Sequence, residues 1–182
     1  MRSALWGLLS LVALAGCEQA SDLFFGPSFV DIASDRTKLI DGLQSYASVE
    51  EIKRLFPEWK VIENSGLKPG DKRPPINIYS VAVKNYSHLN CRGELRLTFF
   101  NNRLMEAWFI PDEFEKYIEL LKKQEGISFQ AGPDSHGWPE AKQPPYTQIL
   151  LPGYREEGRM QYVSWTDTRL KKELALWVKK YS

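Results

Sequence analysis

"ELRLTFFNNRLMEAWFI", residues Glu94 to Ile110, decides how this chain folds. Leu95, Leu97 and Phe99 alternate with Glu94, Arg96 and Thr98, the two-residue period of a strand with one buried face. Asn101 and Asn102 then supply turn chemistry, because their short polar side chains tolerate the backbone that a tight hairpin needs. "RLMEAWFI" is expected to run back beside the first strand.

Outward from this hairpin the period changes to that of helices. Toward the N-terminus, "SVEEIKRLFP" has Ser48 as N-cap and Glu51 three places on, the reciprocal capping box, with Ile52, Leu55 and Phe56 as the buried side and Pro57 as the stop. Ahead of it Ser34 can cap a helix through about Tyr46, with Leu39, Ile40 and Leu43 on one stripe. Toward the C-terminus, "PDEFEKYIELLKKQEG" places Asp112 as cap, Glu113 and Glu115 at the positive end of the dipole, Lys122 and Lys123 at the negative end, and Gly126 as the close. Phe114, Tyr117, Ile118 and Leu121 make one apolar face. Helices are thus predicted near 35–46, 49–56 and 112–125, and strands elsewhere. "GRMQYVSW" and "RLKKELALWVKKYS", on either side of the turn "TDT", are read as two such strands. The predicted class is α+β, helices packed on an antiparallel sheet.

The strands carry an internal echo. "PPINIY" at Pro74 is answered by "PPYTQI" at Pro144, Gly93 by Gly158, and "FFNNRL" at Phe99 by "WTDTRL" at Trp165. The domain expected over 31–182 therefore divides into two tandem helix-plus-three-strand-meander units, 31–111 and 112–182, although the helical parts match less well than the strands.

The first sixteen residues have the zones of an export signal: Arg2 as the only charge, the apolar run "ALWGLLSLVALA", then small residues. The run is shorter than the roughly 20 residues that a spanning helix needs. Leu14, Ala15, Gly16 and Cys17 match the lipobox of bacterial lipoproteins. The resemblance implies a signal peptide over 1–16, lipid on the Cys17 sulfur and a tether over 17–30. It implies attachment to the membrane through covalent lipid; with Glu18 after the cysteine, the address is the outer membrane facing the periplasm, the inner membrane being the alternative. Phe24, Phe25 and Phe29 in the tether are expected to dock onto the domain rather than enter lipid.

Removing Arg2 from the 24 Lys plus Arg leaves 23 basic against 23 acidic residues. A neutral chain offers no broad electrostatic footprint for nucleic acid, so none is expected as a partner. An aromatic content of 13% favours a sheet-rich interior.

A helix pair followed by an antiparallel meander on a lipidated chain, carried by "SVEEIKRLFP" ahead of "ELRLTFFNNRL", resembles the outer-membrane assembly lipoproteins of the SmpA/OmlA type. Two such units joined are similar in outline to the β-lactamase inhibitor protein. The chain lacks the usual Gly before Pro57 and its loop from Gly66 to Pro75 is long, and no binding residues carry over from either family.

The residue inventory is poor in catalytic constellations. His88 and Cys91 in "HLNC" have the spacing of two ligands to one metal, but no second pair completes a tetrahedral site. Cys91, in an apolar stretch, reads as buried and inert. Asp134, Ser135 and His136 are the residue types of a hydrolase triad, yet neighbours in sequence point apart, so "GPDSHGWPE" reads as a connecting loop. Glu156 and Glu157 read as a solvated turn. Lys171, Lys172, Lys179 and Lys180 read as the solvent side of an edge strand. No catalytic, cofactor-binding or metal residue is assigned, and no cofactor is expected. The functional expectation is a lipid-anchored periplasmic binding or scaffold module without catalysis of its own, holding an envelope protein partner. An inhibitor or immunity lipoprotein, or an envelope hydrolase with an unrecognised site, stand as the alternatives. Binding predicts a surface rich in Trp and Tyr, inhibition a protruding loop, and catalysis a deep pocket with converging polar groups.

Overall fold

The computed structural model of the protein describes residues 36–131, 138–152 and 160–182. The expectations placed on Cys17, the three tether phenylalanines, Ser34, the Asp134–His136 triplet, the Glu156–Glu157 pair and Gly158 lie outside these residues. The chain is α+β, built on an antiparallel sheet. Its strands are β1 (Lys60–Gly66), β2 (Asn77–His88), β3 (Cys91–Phe100), β4 (Arg103–Pro111), β5 (Gln130–Ala131), β6 (Pro139–Gln143), β7 (Thr147–Leu150) and β8 (Val163–Asp167). Among the described residues they form one eight-stranded sheet in the order β1-β2-β3-β4-β8-β7-β6-β5. Two meanders of consecutive strands thus meet through their last members, with Glu106 opposite Thr166 and Ala107 opposite Trp165.

The Glu94–Ile110 hairpin forms as its sequence predicts. Asn101 and Asn102 take φ of 47° and 61°, and Leu97 pairs with Ala107 across the strands. Leu95, Leu97, Phe99, Ala107, Phe109, Ile149 and Trp165 lie buried on one face of the sheet. That face is covered by α1 (Val49–Leu55), by α2 (Phe114–Leu120) and by residues 37–47. The opposite face is covered at one end by α3 (Thr168–Tyr181), whose Leu170 and Leu174 pack on Ile78, Phe100 and Met105.

The capping box of α1 is complete: the Ser48 hydroxyl accepts from the Glu51 N–H at 3.1 Å, and a Glu51 carboxylate oxygen accepts from the Ser48 N–H at 2.7 Å. Ile52 is buried and Phe56 packs edge-on to Tyr86, but Leu55 is 61% exposed rather than part of the buried side. α2 starts without the predicted cap, since Glu113 occupies the N-cap without a side-chain bond and the Asp112 N–H donates instead to the Arg92 carbonyl. The helix continues through a widened π turn, Leu121–Glu125, and closes on Gly126 at φ 69°.

Two predicted elements are different. Residues 36–46 form no continuous helix but only one 3-10 turn, Ile40–Gly42. Asp41 and Gly42, at φ 52° and 75°, turn the chain so that Lys38 bridges Gln44, and the Leu39 N–H donates to Leu43 O at 2.7 Å. Asp-Gly is a hairpin signal, and it prevails over the apolar stripe while still burying Leu39, Ile40 and Leu43. The second correction is at the C-terminus, where 168–181 is helix and not strand. Asp167 accepts from the N–H groups of Arg169 and Leu170 and so starts a helix where the echo in Phe99 to Leu104 has a β-turn. Lys171, Lys172, Lys179 and Lys180 accordingly stand on a helix, not on an edge strand. The three-strand meander is also exceeded, because β1 adds a fourth strand to the first half.

Replacing Ser48 by Ala should lower the unfolding free energy by about 1 kcal/mol, the usual worth of a side-chain cap. A shift of the urea midpoint at unchanged slope is the expected reading.

Candidate functional site: a basic groove beside the last helix

The described structure holds a large groove between α3 and the β6–β7 hairpin, and its walls are set by the way β8 passes into α3. Asp167, the last strand residue, is fully buried. Its Oδ1 accepts from the Arg169 N–H at 2.9 Å and its Oδ2 from the guanidinium at 2.8 Å. Burial pushes the carboxyl pKa upward, but the bonds from Arg169 and the Ser45 hydroxyl outweigh it and hold Asp167 below the ordinary carboxylate value. The Arg169 guanidinium lies 3.9 Å over the Tyr146 ring and 5.1 Å over that of Tyr46. Thr168 donates to the Tyr146 carbonyl from both its N–H and its hydroxyl, each at 3.0 Å, which ties the start of α3 to the hairpin. Arg103 grips Glu173 through two bonds of 3.0 and 2.7 Å, and the Trp177 indole donates to Pro74 O at 3.1 Å. The helix is fixed along its length.

The groove so formed has a volume of about 900 Å³. Its floor is the strand face carrying Lys142, Gln148 and Leu150, with Trp138 beside it; one end is the hairpin tip Gln143–Tyr146, and the wall is α3 through Thr168, Lys171, Lys172 and Ala175. Those four positions follow the helical three- and four-residue spacing, so a single stripe faces the groove while Leu170 and Leu174 face the core. Among the described residues three lysines line the groove and no carboxylate does. The nearest floor carboxylate, the buried Glu140, accepts from Gln148 Nε2 at 3.0 Å and lies 3.6 Å from the Lys142 ammonium. Both threonine hydroxyls are engaged, Thr168 as above and Thr147 as a donor to Lys38 O at 2.7 Å.

A polar row crosses the sheet into this groove. The register places Ser80, Thr98, Glu106, Thr166, Gln148 and Lys142 side by side on β2, β3, β4, β8, β7 and β6. The Thr166 hydroxyl donates to Glu106 at 2.9 Å. Burial pushes the Glu106 carboxyl upward, more than the Trp108 indole, Thr166 and the charge of Lys171 pull it down. The Trp108 N–H is itself buried without a hydrogen bond of proper geometry, so its effect on Glu106 is that of a nearby dipole. Its ring stacks on Tyr162 at 4.7 Å.

His88 and Cys91 are opposite each other across the two-residue turn of Leu89 and Asn90. His88 Nδ1 shares a 2.6 Å hydrogen bond with the Tyr117 hydroxyl inside the aromatic core, and Nε2 is 3.3 Å from Glu125 at the core's edge. Cys91 is buried, and burial pushes its thiol pKa up. Among the described residues no three His, Cys, Asp or Glu side chains gather as for a metal. Lys171 and Lys172 belong to the groove; Lys179 and Lys180 lie in the last turn of α3. Sequence reasoning does not single out Trp138 or Lys142, and it reaches Tyr146 only as part of the repeated "PPY". Comparison of the chain with known protein families and with curated proteins gave no match. No helix among the described residues is long and apolar enough to cross a membrane.

The two carboxylates titrate in opposite senses. Asp167, depressed in the fold, stabilises above the ordinary carboxylate range near pH 4 and loses that contribution as pH falls below it. Glu106, raised in the fold, costs stability as pH climbs from the ordinary value through the raised one. Asp167→Asn should therefore flatten the acid limb of the stability profile, and Glu106→Gln should stabilise the protein at neutral pH while matching it in acid. Urea unfolding across pH measures both.

Proposed function

We propose that this chain is a lipid-anchored periplasmic binding module, attached at Cys17 to the outer membrane, which holds an envelope protein partner in the groove beside α3 and carries out no chemistry of its own. The observation that carries the reading is the composition of the groove: Trp138, Tyr146 and Leu150 with three lysines. Trp and Tyr are usual anchors of a protein interface, and the lysines add charge beside them. Among its described lining residues the groove offers no nucleophile with an adjacent base, which a hydrolytic site needs. The two meanders meeting through β4 and β8 support descent from a duplicated unit of the kind suggested by the likeness to the β-lactamase inhibitor protein.

Two measurements test the proposal. Fatty-acid label should enter the wild-type chain and not the Cys17→Ser variant; equal label in both removes the anchor. A photo-crosslinking side chain at Ala175, in the groove wall, should trap a defined envelope protein, and one at the exposed Glu119 on α2 should not. The same products from both positions, or none from Ala175, would end the binding reading.

A further inference from the structure

Resting on that reading, we infer that the groove takes an acidic peptide segment of the partner, carrying apolar side chains between its carboxylates. Among the described residues the lining supplies charge of one sign only: Lys142 stands on the β6 floor, and Lys171 and Lys172 on the α3 wall, with no described lining carboxylate between them. Near them Asp167 is already matched by Arg169, while Glu140, held by Gln148, pairs with Lys142 at 3.6 Å and offsets that lysine, so the charge left for a ligand is chiefly that of Lys171 and Lys172. A ligand that leaves these cations facing an uncharged surface desolvates them without return, whereas carboxylates of an extended segment meet them.

The uncharged part of the lining selects a peptide over a hydrocarbon tail. Gln143 at the hairpin tip and Gln148 on the floor interrupt the apolar surface of Tyr146, Leu150 and Trp138. Gln148 spends one amide hydrogen on Glu140 and keeps its carbonyl oxygen, while the hydroxyls of Thr147 and Thr168 are engaged within the fold. The two glutamine amides are thus the polar groups left to answer a ligand's backbone N–H and C=O. An acyl chain in the same place would cover both amides and pair neither. A volume of about 900 Å³ holds a short segment of chain with its side chains, not a folded surface.

The probe is a pair of short fluorescein-labelled peptides of equal length, one alternating glutamate with tyrosine and the other lysine with tyrosine, titrated by anisotropy against the full chain in uncharged detergent. The acidic peptide should bind roughly tenfold or more tightly than the basic one, and more weakly as salt rises. K171E/K172E should weaken the acidic peptide by roughly tenfold and strengthen the basic one. K179E/K180E makes the same change in net charge on the same helix outside the groove lining, and should leave the preference as it is. Circular dichroism and urea midpoints show that both variants are folded. Equal binding of the two peptides, or equal weakening by the two double variants, overturns the inference. So does displacement of the acidic peptide by monomeric short-chain phosphatidylglycerol in a manner that K171E/K172E abolishes, which would assign the groove to an anionic lipid. If the crosslink from Ala175 persists while the acidic preference fails, the ligand class falls and the binding module stands; if the crosslink is absent, the module itself falls.

Discussion

A carboxylate sealed from solvent must have its charge met by the protein, and at Asp167 the groups that meet it hold four parts of the chain together. Asp167 ends β8, its partner Arg169 begins α3, the Ser45 hydroxyl comes from the N-terminal turn, and Thr147 opposite it on β7 reaches that same turn through Lys38 O and the Thr37 hydroxyl. Thr37, Ser45, Thr147 and Asp167 are all buried. A cluster of this kind contributes little net energy once desolvation is counted, but it tolerates no substitute arrangement, because each group left unpaired there would cost more than the pairing gains. It fixes where α3 departs from the sheet, and with it the wall of the groove.

The sheet divides its two faces between different tasks. One is filled with Leu95, Leu97, Phe99, Phe109 and Trp165, on which Tyr117 and His88 pack with their polar atoms bonded to each other. Area burial on this side supplies the stability. The other carries the row from Ser80 to Lys142, where hydroxyls, amides and a reluctant carboxylate stand in register. Such a row adds little to the core, and burial raises the Glu106 carboxyl there.

The parts of the fold that were legible from sequence are those whose signals are local and single-valued. The Ser48–Glu51 box, the Asn101–Asn102 turn and the alternation from Leu95 to Phe99 each admit one backbone solution. The C-terminal segment admits two: Leu174, Leu176 and Val178 alternate as in a strand, while Leu170, Leu174, Trp177 and Tyr181 recur as on a helix. Asp167 as a cap, and the Leu, Lys, Glu and Ala content, favour the helix, and these were outweighed by the apparent echo. In residues 36–46 the Asp41–Gly42 dipeptide was hidden behind a helical stripe. The groove was illegible for another reason: residues 138–150 and 168–175 are neighbours only because β7 pairs with β8, a fact of register that no short motif carries.

The order of the strands also sets an order of assembly. β2, β3 and β4 are joined by two-residue turns, so each closes against its neighbour at small entropic cost. The seam between β4 and β8 is another matter, for Glu106 and Thr166 are 60 residues apart and meet only after the intervening chain has been gathered in. Local pairings form before distant ones when stabilities are similar, which makes the first meander the template and the seam the late event. The groove, lying wholly on the far side of that seam, comes into being only when the chain has finished folding, so a partially folded chain carries its core hairpin but not yet the groove.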